Sequence, residues 1–153
     1  MIALIDYGLG NIQAFSNIYR HLGIEAVPAR TANDLRAASK IILPGVGAFD
    51  WAMTRLQASG LRDALDKEVL EAKKPVLGIC VGMQMMARSS EEGKLPGLGW
   101  IDATVVKFDA RFLKSKTHLP HMGWNDVRPT SDGSIFAKMT DPRFYFLHSY
   151  CFE

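Results

Sequence analysis

Apolar residues follow two rhythms along this chain. In the first eighty positions, short apolar runs alternate with stretches whose apolar residues recur every three or four places. Residues 2–5 form one run, ended by Asp6 and a turn through Gly8 and Gly10. From Asn11 onward, Ile12, Phe15, Tyr19 and Leu22 mark one face of a helix that Gly23 stops. Residues 24–27 predict a second strand, and Asn33 is placed to cap a brief helix through Leu35 and Ala38. Ile41-Ile42-Leu43 is a third strand, running into Pro44-Gly45. Met53 and Leu56 belong to a helical stretch broken at Gly60, and Leu61, Leu65, Val69 and Leu70 carry the period onward. Residues 76–79 are the fourth strand, and Met83 to Ala87 open a further helical pattern. Strand and helix alternating in units of this size predict an α/β fold with a mostly parallel, doubly wound sheet covered on both faces.

The second half reads differently. Residues 100–108, 124–127 and 144–152 are strand-like and are joined by loops rich in Pro, Gly and Asp. No strong helical pattern separates them, which predicts an antiparallel extension. With no repeat, linker or low-complexity tract, residues 1–153 read as one domain. The apolar run 144–152 ends almost at the last residue, and an uncovered strand edge is an aggregation liability that chains usually avoid.

Composition narrows the classes. The 153 residues are 48% hydrophobic and carry a net charge of +2, which points to neither nucleic acid nor an acidic membrane as partner. No apolar run approaches the roughly 20 residues of a membrane span. The start, Met1 to Asp6, is too short and uncharged for a signal peptide. Cys80 and Cys151 make no disulfide framework, so the reading is a cytoplasmic protein with reduced thiols.

The chemistry centres on Gly78-Ile79-Cys80-Val81-Gly82, between the fourth strand and the helical pattern after it. A side chain lifted out of a tight strand-to-helix turn needs small neighbours two places before and two after. The first N–H groups of a helix also favour a thiolate there. Free cysteines are more often small buried apolar residues, but the strand before and the helix after favour a nucleophile. An acyl-transfer site also needs backbone donors aimed at the developing oxyanion. Val81 N–H is one such donor. Pro44-Gly45-Val46-Gly47, at the carboxyl end of the third strand, can offer another, although an ordinary strand-ending turn has the same look.

Other candidates are weaker. Gly8-Leu9-Gly10 lacks the third glycine of a dinucleotide fingerprint, since position 13 is Gln13. His118 and His121 flank Leu119-Pro120 with no Cys or carboxylate nearby, so no metal is expected. Glu91-Glu92 after Ser89-Ser90 reads as a solvated loop, and Cys151 as core packing.

Seven segments in order resemble the class I (triad-type) glutamine amidotransferases, and among them the glutaminase subunits of imidazole glycerol phosphate synthases. They are Asp6-Tyr7-Gly8-Leu9-Gly10-Asn11, Leu43-Pro44-Gly45-Val46-Gly47-Ala48-Phe49, Gly78-Ile79-Cys80-Val81-Gly82-Met83-Gln84, Glu91-Glu92-Gly93, Gly97-Leu98-Gly99-Trp100, Pro120-His121-Met122-Gly123-Trp124-Asn125 and Phe146-Leu147-His148-Ser149-Tyr150. The resemblance implies a flavodoxin-like sheet and a glutaminase without a cofactor. Cys80 would attack the glutamine side-chain amide, and the Val46 and Val81 amides would hold the oxyanion. Gly47, Gln84 and Glu92 would bind substrate, and backbone around His148, Ser149 and Tyr150 would clamp its α-carboxylate and amino groups. Water would hydrolyse the thioester. The ammonia would pass to a partner (β/α)₈ synthase making imidazole glycerol phosphate in histidine biosynthesis. Asn11, Trp124 and Tyr145 match positions facing that partner.

The resemblance also implies further strands, a His-Pro-Glu motif completing the triad, and a closing helix, none of which stands among these residues. The expectation is therefore a C-terminally truncated chain, close to inactive alone, since losing a positioned proton donor costs about 10²–10⁴-fold. Two other readings stay open. The same chemistry could serve a sugar-amidating synthase of surface polysaccharides, or the chain could be a non-catalytic partner-binding fragment.

Overall fold

Four parallel strands carry the first part of the chain in a computed structural model that describes residues 1–109, 119–130, 135–136 and 139–153. They are β1 (Ile2–Ile5), β2 (Ala26–Ala29), β3 (Lys40–Pro44) and β4 (Val76–Ile79), in the order β2-β1-β3-β4. Ile2 pairs with Ala26 on one side and Lys40 on the other, and Leu43 pairs with Gly78. The order turns back at β1, so crossovers of one hand place helices on both faces and open a crevice between β1 and β3. The two inner strands are almost wholly buried, and β2 and β4 are less so. A parallel sheet covered twice demands this pattern.

Helix α1 (Ile12–His21) is capped by Asn11, whose side-chain oxygen accepts from Ala14 N at 3.0 Å. None of its residues is fully buried and Leu22, just beyond it, is exposed, so the predicted stripe covers the sheet only in part. Helix α2 (Ala32–Ala37) is capped by Thr31, not Asn33. Thr31 and Asp34 form a reciprocal capping box that satisfies two free N–H groups. Helix α3 (Phe49–Ala58) buries Phe49, Ala52, Met53 and Leu56, one face at helical spacing, in one core cluster with Ile5, Ile41 and Leu43.

After α4 (Arg62–Asp66) the regular period ends. Residues Lys67–Glu71 form a wider π-helical turn, closed by Ala72 N donating to the Lys67 carbonyl at 3.0 Å. The turn leaves Leu70 exposed and Glu68 buried, against the simple helix predicted there. Lys74 lies 2.7 Å from the Glu68 carboxylate and donates to the Leu35 and Arg36 carbonyls at 2.8 and 2.9 Å. The buried charge is thus paired, and the end of α2 gains a donor.

Helix α5 (Val81–Gln84) is a single turn, shorter than the pattern through Ala87 predicts. The carbonyls of Met85, Ala87 and Arg88 accept from Leu98, Gly99 and Gly97 instead, at 2.8, 3.0 and 2.8 Å. A strap from the 97–99 segment replaces further helix. Strand β5 (Ser89–Ser90) pairs in parallel with β6 (Thr104–Lys107), where the sequence had suggested a loop. Thr104 and Glu153 exchange both backbone hydrogen bonds, at 2.9 and 2.8 Å.

The chain divides into two compact units, residues 1–106 with 152–153, and residues 107–151. The second is built on an antiparallel pair, β7 (His121–Asp126) and β8 (Arg143–His148), and β9 (Tyr150–Phe152) starts in it and ends in the first. No helix among the described residues is long and apolar enough to cross a membrane.

Candidate functional site

The residue between β4 and α5 is Cys80, and its backbone sits at φ 55°, ψ −123°. A side chain at positive φ in this region costs about 1–3 kcal/mol and persists only where its surroundings hold it there. Two close approaches hold it. A Cβ at Gly82 would lie 2.0 Å from the Leu43 carbonyl oxygen, and one at Gly78 would lie 2.4 Å from Met83 Cα. Only hydrogen fits at either place, so the spacing predicted for a nucleophile turn is required by backbone contact. The Cys80 thiol is exposed, which excludes the buried-packing alternative for it. Its carbonyl accepts from Met83 N and Gln84 N at 3.0 and 3.2 Å. With α5 one turn long, the aligned dipoles of a long helix are missing. What the turn offers is the first N–H groups, Val81 among them, which a helix leaves without internal partners.

The loop after β3 lies directly on this turn. A Cβ at Gly45 would come within 2.2 Å of Gly82 N and 2.8 Å of the Val81 carbonyl carbon. Val46 and Gly47 follow, and the Val46 side chain is exposed. Two residues beyond Gly47, Phe49 N donates to the Glu92 carboxylate at 2.9 Å. Glu92 is thus no free loop residue: it caps α3 at the end of the same loop. The lock is reciprocal. The Asp50 carboxylate accepts from Lys94 N and Leu95 N, with contacts of 2.9–3.0 Å. Those N–H groups hold the Asp50 carboxyl below its usual range. Gln84, on α5, is buried. Cys80, Val81, Gln84, Val46, Gly47 and Glu92 therefore belong to one assembly at the carboxyl ends of β3 and β4.

His148, Ser149 and Tyr150 belong to the second unit, as do Trp124 and Tyr145. The Ser149 carbonyl accepts from Phe108 N at 2.9 Å. His148 Nδ1 lies 3.0 Å from the Tyr150 carbonyl and must donate to it. In the neutral ring His148 Nε2 then accepts, and its partner at 3.0 Å is His121 Nδ1. Asn125 Nδ2 completes the chain at 3.1 Å from His121 Nε2. Both carbonyls and the His148 ring are thus already engaged. Trp124 and Tyr145 form an edge-to-face pair 5.7 Å apart on an exposed face. Asn11 lies in the first unit, its side-chain oxygen committed to the α1 cap. Cys151 is half-buried in β9, and His118 lies outside the described residues.

Two residues escaped the sequence reading. Asp50 could have been suspected as an acidic residue in a first helical turn. Tyr7 stood in the first family-like segment but had no role attached to it, being one aromatic residue at the mouth of a glycine loop. It is 2% exposed, and its hydroxyl donates to the Pro44 carbonyl at 2.7 Å.

A doubly wound sheet that ends one strand in an exposed, strained cysteine turn, packed on a glycine loop, is the arrangement of the α/β proteins that present a nucleophile at a strand-to-helix turn. Residues 3–153 match the glutamine amidotransferase class-I family, and the chain belongs to it. It is 58% identical over 154 residues to the imidazole glycerol phosphate synthase subunit HisH of Bdellovibrio bacteriovorus, and 46% identical to that of Leptospira interrogans. Both alignments take in 100% of this chain and 76% of the relative. A solved glutamine amidotransferase superposes with a TM-score of 0.64 at 21% identity, over 82% of this chain and 62% of that one, and shows the fold alone.

Proposed function

We propose that the chain carries the nucleophile and oxyanion donors of a glutaminase feeding an imidazole glycerol phosphate synthase. The strained, solvent-open turn at Cys80 carries this reading. A scaffold has no use for a non-glycine residue held at positive φ with its thiol in reach. Cys80 Sγ attacks the side-chain amide carbon of glutamine, the C–N bond breaks, and ammonia leaves with a proton from a general acid. Water then cleaves the thioester to glutamate. Val46 N–H and Val81 N–H stabilise the tetrahedral oxyanion. Gly47, Gln84 and Glu92 bind the glutamine, and backbone around His148, Ser149 and Tyr150 clamps its α-carboxylate and amino groups.

The partner is a (β/α)₈ synthase that receives the ammonia. In support, the named relatives are subunits of imidazole glycerol phosphate synthases. The β7–β8 pair also offers an apolar face of Met122, Trp124, Tyr145 and Leu147, all more than half exposed. The cytoplasm is the compartment such a biosynthetic enzyme needs.

The test reads covalent capture of the Cys80 thiol by an electrophile shaped like the substrate. A glutamine-derived chloroketone should give one adduct, at Cys80, and free glutamine should protect it. Equal labelling of Cys151, or no protection by glutamine, would overturn the assignment.

A further inference from the structure

The buried phenol of Tyr7 bonds to Pro44, two residues before Val46, and lies against Met85, whose N–H bonds to Val81. Its hydroxyl donates to the Pro44 carbonyl at 2.7 Å, and Met85 Sδ lies 3.6 Å from the same oxygen. The Pro44 carbonyl and Gly45 N–H belong to one planar peptide, so fixing the first fixes the second. That peptide is where the Val46–Gly47 loop departs, against the backbone of Val81 and Gly82. On the Val81 side, Met85 N donates to the Val81 carbonyl at 2.8 Å. The Gly45–Gly82 backbone contact and the Glu92 bond to Phe49 N hold the two ends of the loop, and between them the glycines on either side of Val46 leave its peptide free to rotate.

We infer that Tyr7 is a positioning residue, which aims the Val46 arm of the oxyanion hole by holding the Pro44–Gly45 peptide against the Cys80 turn. The inference rests on the acyl-transfer reading above. Burial pushes the phenol up to about 12, so it stays a donor across the neutral range. Removing one oxyanion donor outright costs about 10²–10³-fold, and a donor held loosely loses part of that, about ten- to a hundredfold.

Tyr7→Phe removes the hydroxyl and nothing else, and two reagents separate the consequences. A glutamine-derived chloroketone places its ketone oxygen on the oxyanion donors as Cys80 Sγ displaces chloride, whereas iodoacetamide, too small to span the site, loses iodide to the thiol without those donors. The variant should react with the chloroketone about ten- to a hundredfold more slowly at saturation, with half-saturation and the iodoacetamide rate within about twofold of the parent. Equal slowing with both reagents, or with neither, overturns the positioning role. An unsubstituted chain that shows no glutamine-protected chloroketone labelling overturns the acyl-transfer reading itself. Should Tyr7→Phe not fold, tetrafluorotyrosine at position 7 keeps the ring and lets alkali remove the proton in place. The ratio of chloroketone to iodoacetamide rate should then fall with rising pH in that protein and stay level in the parent. A ratio that stays level in both overturns the inference.

Discussion

The turn at Cys80 and the β7–β8 pair solve opposite problems with opposite materials. Around Cys80 the contacts run backbone to backbone: Gly82 against the Leu43 carbonyl, Gly45 against Gly82 N. In the β7–β8 pair they run side chain to side chain across the register. Trp124 stands opposite Tyr145, Met122 opposite Leu147, and Asp126 opposite Arg143 with an ion pair of 3.5 Å. A backbone junction has no slack, because no rotamer can swing away. A cross-strand ladder shares its stability among many small terms of about 0.2–1 kcal/mol each. One region should therefore fail abruptly on a single substitution and the other by degrees.

Gly82→Val strikes hardest at the first. Its branched side chain has no room beside the Leu43 carbonyl, and we expect a loss of about 4 kcal/mol or more, enough to abolish cooperative unfolding in a denaturant titration. Near-parental stability would mean that the backbones are not in contact. Cys80→Ser leaves the fold in place and removes the nucleophile, so chloroketone labelling should drop by at least about 10³-fold with an unchanged melting temperature. Comparable labelling of the serine variant would shift the chemistry to another residue.

On the second region the effects shrink. Trp124→Ala should cost the strand pair about 0.5–1.5 kcal/mol, read by chemical denaturation. It should also weaken binding to the synthase partner by about 2 kcal/mol, read by calorimetry, if the exposed face is a docking surface. The smallest effect returns to the first region. The Asp50 carboxyl titrates lower in the folded protein than unfolded, so its contribution is present at neutral pH. That contribution fades as pH falls through the unfolded value, near 3.8, and on through the lower folded one. Asp50→Asn should accordingly lower the melting temperature at pH 7 slightly, and should narrow its gap to the parent in acid. A gap that widens in acid would reverse the sign.

Elements set by local signals were legible beforehand: β1, β3 and β4 as apolar runs, α3 from the spacing of Met53 and Leu56, and Gly23 and Gly60 as helix stops. The elements that departed depend on partners distant in sequence. The α4 pattern gives way to a π-helical turn where Glu68 meets Lys74. Helix α5 stops at Gln84 because the 97–99 segment takes the carbonyls that follow. Thr31, not Asn33, caps α2, a choice between two good capping residues that the capping box with Asp34 decides.

By itself the sequence determined the sheet class, the cysteine turn and the family, because each is written in residues close together or in ordered segments. It could not show that Glu92 and Asp50 lock the 91–95 loop onto α3, or that a tyrosine at position 7 anchors the carbonyl before the oxyanion loop. Those pairings join residues 37 to 45 positions apart. Only the folded chain brings such groups within hydrogen-bond range, since their geometry depends on how strands and loops pack and leaves no periodic mark.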